Sequence, residues 1–137
     1  MSQIENVDFK DSKYATGRRK KSIAKVWLKK GTGKILVNGK TYDEYFKRVD
    51  HISCLIKPFE DINQTTSYDV RCSVKGGGHS GQIGAMLHGI SKALLQFDSA
   101  FKPELKKQKL TTRDSRSVER KKYGHRKARR SFQFSKR

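Results

Sequence analysis

The uneven distribution of charge is the feature that most constrains how this chain can fold. Residues 102–137 contain 15 lysines and arginines against 3 acids, whereas residues 1–101 contain 17 against 10. The C-terminal part therefore carries +12 of the chain's net charge of +19. Apolar residues also become sparse after Leu110, and so basic a segment cannot bury enough apolar surface to fold alone. We predict a compact body followed by a segment that becomes ordered only on a polyanionic partner.

The chain divides into a polar N-terminal arm (1–13), a globular body (14–110) and a basic C-terminal tail (111–137). Its length suits one domain of ordinary size rather than two separate cores. No run of about 18 apolar residues is present, so we expect no membrane-spanning helix and no membrane partner. The arm contains acids and lacks an apolar stretch, so it resembles neither a signal peptide nor an intact arginine-rich transit peptide.

Two strands are predicted near the start of the body. Residues 21–29 are rich in β-branched and aromatic side chains, which favour a strand. Beyond the turn at residues 30–33, residues 34–38 are expected to form the hairpin partner of this strand. The basic run at residues 16–21 is expected to precede the first strand.

Two short helices are expected next. Thr41 and Glu44 have the spacing of a capping box, which predicts a helix that begins there. Residues 50–57 predict a second helix, which Pro58 is expected to end.

A strand followed by a long helix is the clearest pattern in the body. Residues 68–75 alternate between apolar and polar side chains, which indicates a half-buried strand. Residues 80–97 have apolar side chains at helical spacing, and we interpret them as a stripe that faces the core. The stripe consists of Ile83, Met86, Leu87, Ile90, Ala93, Leu94 and Phe97. A further short helix is expected over residues 103–108, with Pro103 in its first turn.

The glycine-rich loop between this strand and the long helix is a candidate phosphate site. Gly76, Gly77 and Gly78 permit close backbone approach, and the helix N-terminus behind them favours an anion. A nucleotide-binding loop would end in Gly-Lys-Ser or Gly-Lys-Thr, whereas here Gly81 is followed by Gln82. Both a tight strand-to-helix turn and a seat for an RNA phosphate remain open.

Other chemistry has little support in the sequence. The histidines and cysteines lack the paired spacing of a metal site, so we expect no metal and no cofactor. Cys54 and Cys72 are interpreted as reduced, buried thiols. No pair of acids suggests catalysis, and we expect no enzymatic activity.

The basic segments carry the most specific signal for function. Arginine can clamp a phosphate with two hydrogen bonds or stack on a base, whereas lysine acts as a point charge. The interleaved Tyr123, Phe132 and Phe134 could stack on bases. The candidate RNA-binding residues are Arg18, Arg19, Lys20, Lys21, Lys75, Gly76, Gly77, Gly78, Arg113, Arg116, Arg120, Lys121, Lys122, Arg126, Lys127, Arg129 and Arg130.

The order of these motifs resembles the ninth protein of the small ribosomal subunit, the universal S-nine family, from residue 14 to the end. The matching stretches are YATGRRK (14–20), VKGGG (74–78), SGQ (80–82), HGI (88–90), TRDSR (112–116), ERKK (119–122), KARR (127–130) and QFSKR (133–137). Two residues depart from the family pattern: His79 stands where an apolar residue is common, and Phe132 where many members have proline.

The resemblance implies a fold and a place in the ribosome. The fold would be an α+β body with helices on one face of a mixed sheet and a left-handed βαβ crossover, as in the second domain of the fifth small-subunit protein. The protein would bind small-subunit ribosomal RNA in the head, near the third and tenth small-subunit proteins. Its tail would reach the anticodon stem-loop of the peptidyl-site tRNA, with Ser135, Lys136 and Arg137 as the tRNA-binding residues.

Two other classes of function fit parts of the sequence. Charge alone would also suit an architectural protein that binds duplex DNA, which should then show little preference for structured RNA. The glycine-rich turn would suit an enzyme of the sugar- and mevalonate-kinase fold group, which would have to bind ATP with magnesium. A bacterial cytoplasmic ribosome and a mitochondrial or plastid ribosome both fit the tail.

Overall fold

The computed structural model describes residues 9–136, so the arm's residues 1–8 and Arg137 lie outside the described part of the chain. The strands and helices lie between Lys13 and Lys107. The strands are β1 (Lys13–Arg19), β2 (Ser22–Lys30), β3 (Ile35–Val37), β4 (Lys40–Thr41) and β5 (Tyr68–Lys75). The helices are α1 (Tyr42–Tyr45), α2 (Val49–Asp61), α3 (His79–Phe97), a 3₁₀ turn (Ser99–Phe101) and α4 (Lys102–Lys107).

The strands form one mixed sheet in the order β1-β2-β5-β3-β4. Strand β2 is antiparallel to both β1 and β5, whereas β3 is parallel to β5 and antiparallel to β4. Parallel neighbours need a crossover connection, and here α1 and α2 lie between β3 and β5 in the chain. The α+β class and the mixed sheet expected from the sequence are confirmed.

The expected hairpin between residues 21–29 and 34–38 is wrong, because β5 lies between β2 and β3. Asp69 in β5 explains the difference. Its Oδ1 accepts hydrogen bonds from the backbone N–H groups of Thr32, Gly33 and Lys34, each at 2.9 Å. The alternation placed Asp69 on the solvent side, yet it is buried because these bonds satisfy its carboxylate. The loop after β2 is therefore held against β5 and does not close as a tight turn.

Strand β1 was missed by the sequence patterns, and the basic run at 16–21 lies partly within it. Only Ala15 and Gly17 of β1 are buried, and such small residues give no apolar alternation. Gly17 allows α3 to lie very close to the sheet: a Cβ at this position would be 1.8 Å from the carbonyl oxygen of Ala85 and 2.4 Å from the nitrogen of Gly89.

Helix α2 continues through Pro58, so the expected stop at this residue is also wrong. Pro58 is buried, and the turn that follows it brings Phe59 into the core. The burial of this turn compensates for the backbone hydrogen bond that proline cannot donate. The short helix α1 has Thr41 at its N-cap as expected, but the Thr41 side chain makes no capping hydrogen bond.

Helix α3 covers the sheet face formed by β1, β2 and β5, and α2 packs against α3. The predicted stripe is confirmed: most of its side chains are buried, and Leu87 and Phe97 pack at its edge. Strand β5 has the predicted bounds, and α4 lies within one residue of the predicted short helix. Side chains on the opposite face of the sheet, such as Ile23 of β2, are exposed. Within residues 9–136, no helix is long and apolar enough to cross a membrane.

Candidate nucleic-acid interface

The glycine-rich loop packs directly on the turn between β1 and β2. The Ser22 hydroxyl donates to the carbonyl of Gly76 at 3.0 Å, and the Gln82 side-chain amide donates to the same oxygen at 3.2 Å. A Cβ on Gly76 would lie 2.4 Å from the carbonyl oxygen of Lys21. Gly76 and Gly77 also have positive φ angles, of 76° and 61°. The tight-turn interpretation of this loop is therefore confirmed, and the turn brings Lys20 and Lys21 beside the N-terminus of α3.

A half-open groove of about 1010 Å³ lies at this junction. The β1–β2 turn contributes Lys20 and Lys21, the start of α2 contributes Arg48, and the C-terminal segment contributes Arg120. Glu119 is the one acid that lines the groove among the residues the structure describes. Cationic side chains thus converge on a cleft that also contains the N-terminal end of α3, which favours an anion there.

His79, one of the two departures from the family pattern, forms part of the wall of this groove. Its ring lies 5.5 Å from that of Tyr45 and 5.6 Å from that of the buried Phe46, measured between centroids. His51 contributes a second ring against Phe46, at 6.1 Å, and its Nε2 is 3.3 Å from the Ser80 hydroxyl. At this position the histidine packs against aromatic rings, as an apolar residue would.

Arg19 and Arg116 form hydrogen bonds and ion pairs with other residues of the protein. The Arg19 guanidinium donates to the carbonyl of Arg116 and lies 3.5 Å from the Asp114 carboxylate. Asp114 also accepts two-pronged hydrogen bonds from Arg116, the shortest at 2.8 Å. These bonds from Arg116, more than the nearby charge of Arg19, hold the pKa of Asp114 well below its usual range. Residues 113–116 are therefore fastened to β1.

The C-terminal segment, residues 111–136, contains no helix and only an isolated bridge between His125 and Ser131. Glu119 lies 3.0 Å from Arg129 and 3.9 Å from Lys122, and Arg126 lies over the ring of Phe132 at 5.4 Å. Other cations of this segment have no acidic partner among the described residues and are exposed to solvent. They include Lys121, Lys127, Arg130 and Lys136.

The open face of the sheet carries a second group of basic and aromatic side chains, which sequence reasoning did not select apart from Arg18 and Lys75. Tyr14 and Trp27 are cross-strand neighbours whose ring centroids lie 5.3 Å apart. The Arg71 guanidinium lies over the Trp27 ring at 5.7 Å. The alternation in β2 could have identified them. Ile23, Lys25 and Trp27 alternate with the core residues of this strand, so the tryptophan lies on the face away from the core.

Cys54 and Cys72 are free thiols; Cys72 is buried, and burial raises its pKa, but Cys54 is exposed, which contradicts its predicted burial. Within residues 9–136, no cluster of three or more histidine, cysteine or acidic side chains could hold a metal ion.

Comparison with known proteins decides what kind of molecule carries these surfaces. The chain matches the family model of ribosomal protein S9/S16 over residues 17–137. The chain belongs to the ribosomal protein S9/S16 family. It is 55% identical over 133 residues to small ribosomal subunit protein uS9 of Rickettsia canadensis (strain McKiel), covering 97% of this chain and 83% of the relative. The uS9 protein of Rickettsia prowazekii (strain Madrid E) is 54% identical with the same coverage.

Membership in the S9/S16 family confirms the resemblance seen in the motifs. It makes the chain a structural protein of the small ribosomal subunit, with a role in translation, and not an enzyme. The kinase-like interpretation of the glycine-rich turn is therefore wrong, and the family also favours a ribosomal role over an architectural DNA-binding one.

The predicted RNA-binding residues of this S9/S16 protein fall into two places. Arg18, Arg19, Lys20, Lys21, Lys75 and the three glycines lie at one end of the sheet, around the groove and its rim. The remaining candidates lie along the C-terminal segment, and Arg120 joins the two sets because it lines the same groove. Of the predicted tRNA-binding residues, Ser135 and Lys136 are exposed, whereas Arg137 lies outside the described residues.

Proposed function

We propose that this protein binds small-subunit ribosomal RNA in the head of the subunit and supports the peptidyl-site tRNA with its C-terminal end. The observation that carries the proposal is the state of the C-terminal segment. Its cations Lys121, Lys127, Arg130 and Lys136 project into solvent without acidic partners. Residues 111–136 contain no helix and only one isolated β-bridge. Such a thin basic segment fits between RNA helices where a folded domain cannot.

Release of counterions from RNA would drive the binding of this basic segment. RNA phosphates hold condensed cations, and each phosphate that a lysine or arginine neutralises releases some of them. That release offsets the conformational entropy lost when a flexible segment becomes ordered. Because phosphate contacts position a protein without reading sequence, the same segment could hold any tRNA that enters the peptidyl site. We propose that Ser135, Lys136 and Arg137 make this contact with the backbone of the anticodon stem-loop.

The body would serve as the anchor on ribosomal RNA. We propose that a phosphate group enters the groove beside Lys20, Lys21 and Arg120, with the glycine-rich loop allowing close approach. We further propose the third and tenth small-subunit proteins as neighbours. The crossover from β3 to β5 would have the left-handed sense that the family resemblance implies, which a density map of the assembled subunit would test. The relatives are bacterial, which favours a bacterial cytoplasmic ribosome over an organellar one.

Co-sedimentation in a salt series would test the ribosomal RNA contact. Subunits reconstituted with a triple variant, Lys121→Ala, Lys127→Ala and Arg130→Ala, should release the protein at lower salt than wild-type subunits. Three lost phosphate contacts should make the salt dependence of log affinity shallower by roughly 2 to 3. The matched control removes three exposed body lysines, Lys40→Ala, Lys47→Ala and Lys57→Ala. Equal release by the two triple variants, or a wild-type protein found only in the free pool, would contradict the proposal.

A further inference from the structure

The exposed face of the sheet has a regular composition across three adjacent strands, from the edge strand β1 through β2 to β5. In the pairing register, Tyr14, Trp27 and Arg71 lie in one row across β1, β2 and β5. Residues directly opposite each other on neighbouring strands share a face of the sheet. The two rows that follow on the same face are Thr16, Lys25 and Ser73, and then Arg18, Ile23 and Lys75.

This face combines a stacking surface with positive charge. Tyr14 and Ile23 are 44% and 41% exposed, although large apolar side chains in a sheet are usually buried. The Arg71 guanidinium, 5.7 Å above the Trp27 ring, extends the aromatic surface with a second planar group. The three rows include four cations and no acid, which favours a negatively charged partner over an ordinary protein surface.

We propose that this face binds a single-stranded segment of RNA, with bases stacked on Tyr14, Trp27 and Arg71 and phosphates beside Lys25 and Lys75. Single-stranded nucleic acid is bound where aromatic or guanidinium planes accept bases and nearby cations accept the backbone. Duplex RNA does not fit as well, because its bases are stacked on each other and leave no free ring for the protein. The proposal rests on the ribosomal RNA binding proposed above, and adds a second contact surface separate from the groove and the C-terminal segment.

The chain contains a single tryptophan, Trp27, so its fluorescence reports on this face alone. The experiment titrates the full chain with a short fluorescein-labelled oligouridine, and follows Trp27 emission and fluorescein anisotropy together. Stacked uracil should quench Trp27 emission saturably, with the same midpoint as the anisotropy change. Inorganic polyphosphate should bind the basic segment without this quenching, since it has no bases.

Variants on the face should weaken the quenching. Tyr14→Ser and Arg71→Gln should each raise the oligouridine concentration at half-quenching about 5- to 100-fold, the range found for loss of a stacking partner. Val49→Ser and Lys57→Gln remove an exposed apolar side chain and an exposed positive charge away from this face, and should leave the midpoint within a factor of about two. Because both face residues are exposed, an unfolding midpoint close to that of wild type can confirm that the variants remain folded.

The outcomes separate this inference from the function on which it rests. RNA that raises the anisotropy without quenching Trp27 contradicts the stacking face and leaves ribosomal RNA binding intact. Failure of RNA to change the anisotropy contradicts both. In assembled subunits, Lys25 replaced by photoreactive benzoylphenylalanine should cross-link to ribosomal RNA. A cross-link only to a neighbouring protein would overturn the proposal.

Discussion

Arg19 in β1 and Asp114 in the C-terminal segment form an ion pair, with 3.5 Å between Nη2 and Oδ2, although they come from opposite ends of the chain. Arg19 also donates to the carbonyl of Arg116. The C-terminal segment therefore leaves the body from a defined point on β1. An acid within a strongly basic segment has a positioning role here, because it is the group that the body's arginine binds.

Removing the charge of Asp114 should weaken the contact between β1 and the C-terminal segment. In Asp114→Asn the ion pair with Arg19 is lost and the bonds from Arg116 weaken, so the backbone at residues 113–116 should open more often. Limited trypsin digestion of the free protein should cleave after Arg116 several-fold faster than in wild type. The control, Glu104→Gln, makes the same change in an exposed ion pair with Lys107 on α4. Equal cleavage rates in the two variants would show that Asp114 does not hold the segment.

The contact between β1 and α3 should tolerate no side chain at Gly17. A Cβ there would meet backbone atoms of Ala85 and Gly89, which cannot rotate away as a side chain could. Gly17→Ala should therefore lower the free energy of unfolding by about 1–3 kcal/mol or more, measured by urea denaturation. Gly78→Ala has no atom within 4 Å of its new Cβ and should cost about 1 kcal/mol or less, as an N-cap change. A smaller loss in Gly17→Ala than in Gly78→Ala would refute the close approach.

Asp69 should hold the loop after β2 through charge-assisted hydrogen bonds. Asp69→Ala leaves the N–H groups of Thr32, Gly33 and Lys34 without their acceptor, and should destabilise the protein by roughly 3 kcal/mol or more. Asp69→Asn keeps an acceptor oxygen and should cost less. Hydrogen exchange at these three amides would check the cause: it should accelerate in the alanine variant far more than in the asparagine variant. Unchanged exchange in Asp69→Ala would exclude this role.

The environment of His88 should make stability depend on pH. Burial, and next the charge of Lys92, lower the pKa of this histidine below its ordinary value. The neutral form is thus favoured in the folded protein, and the unfolded chain binds the proton more readily. The free energy of unfolding therefore has its full value, as far as His88 is concerned, above about pH 6.5. It decreases as the pH falls below this value, because the unfolded chain then binds the proton. Urea unfolding over this range should show a shallower pH dependence in His88→Gln, and an identical slope would contradict the pKa shift.

Periodic burial explains which elements the sequence predicted well. Strand β5 and helix α3 bury side chains such as Val70 and Ile90 at the regular spacing of one face, and they contact neighbours in the same core. In β1 the buried positions are Ala15 and Gly17, whose small size reflects the closeness of α3 and leaves no pattern in the strand itself. The pairing of β3 with β5 depends on contacts distant in sequence, including those of Asp69, and local spacing contains no information about them.

The candidate interface was predictable as a set of charges but not as an arrangement. Composition and order identified the basic residues of the β1–β2 turn and of the C-terminal segment. Which of them bind within the protein, as Arg19 and Arg116 do, depends on the position of Asp114 in space. The convergence of Lys20, Arg48 and Arg120 on one groove depends in the same way on how α2 and the C-terminal segment pack.

Truncation of residues 135–137 tests the proposal that the end of the basic segment supports tRNA in the peptidyl site. Small subunits reconstituted with the truncated protein should contain it in wild-type amounts, because the proposed anchoring contacts lie earlier in the chain. Dissociation of tRNA from the peptidyl site of these subunits should be several-fold faster than from wild-type subunits, and Lys136→Ala alone should show a smaller increase. Normal assembly together with an unchanged tRNA dissociation rate would show that residues 135–137 do not support the tRNA.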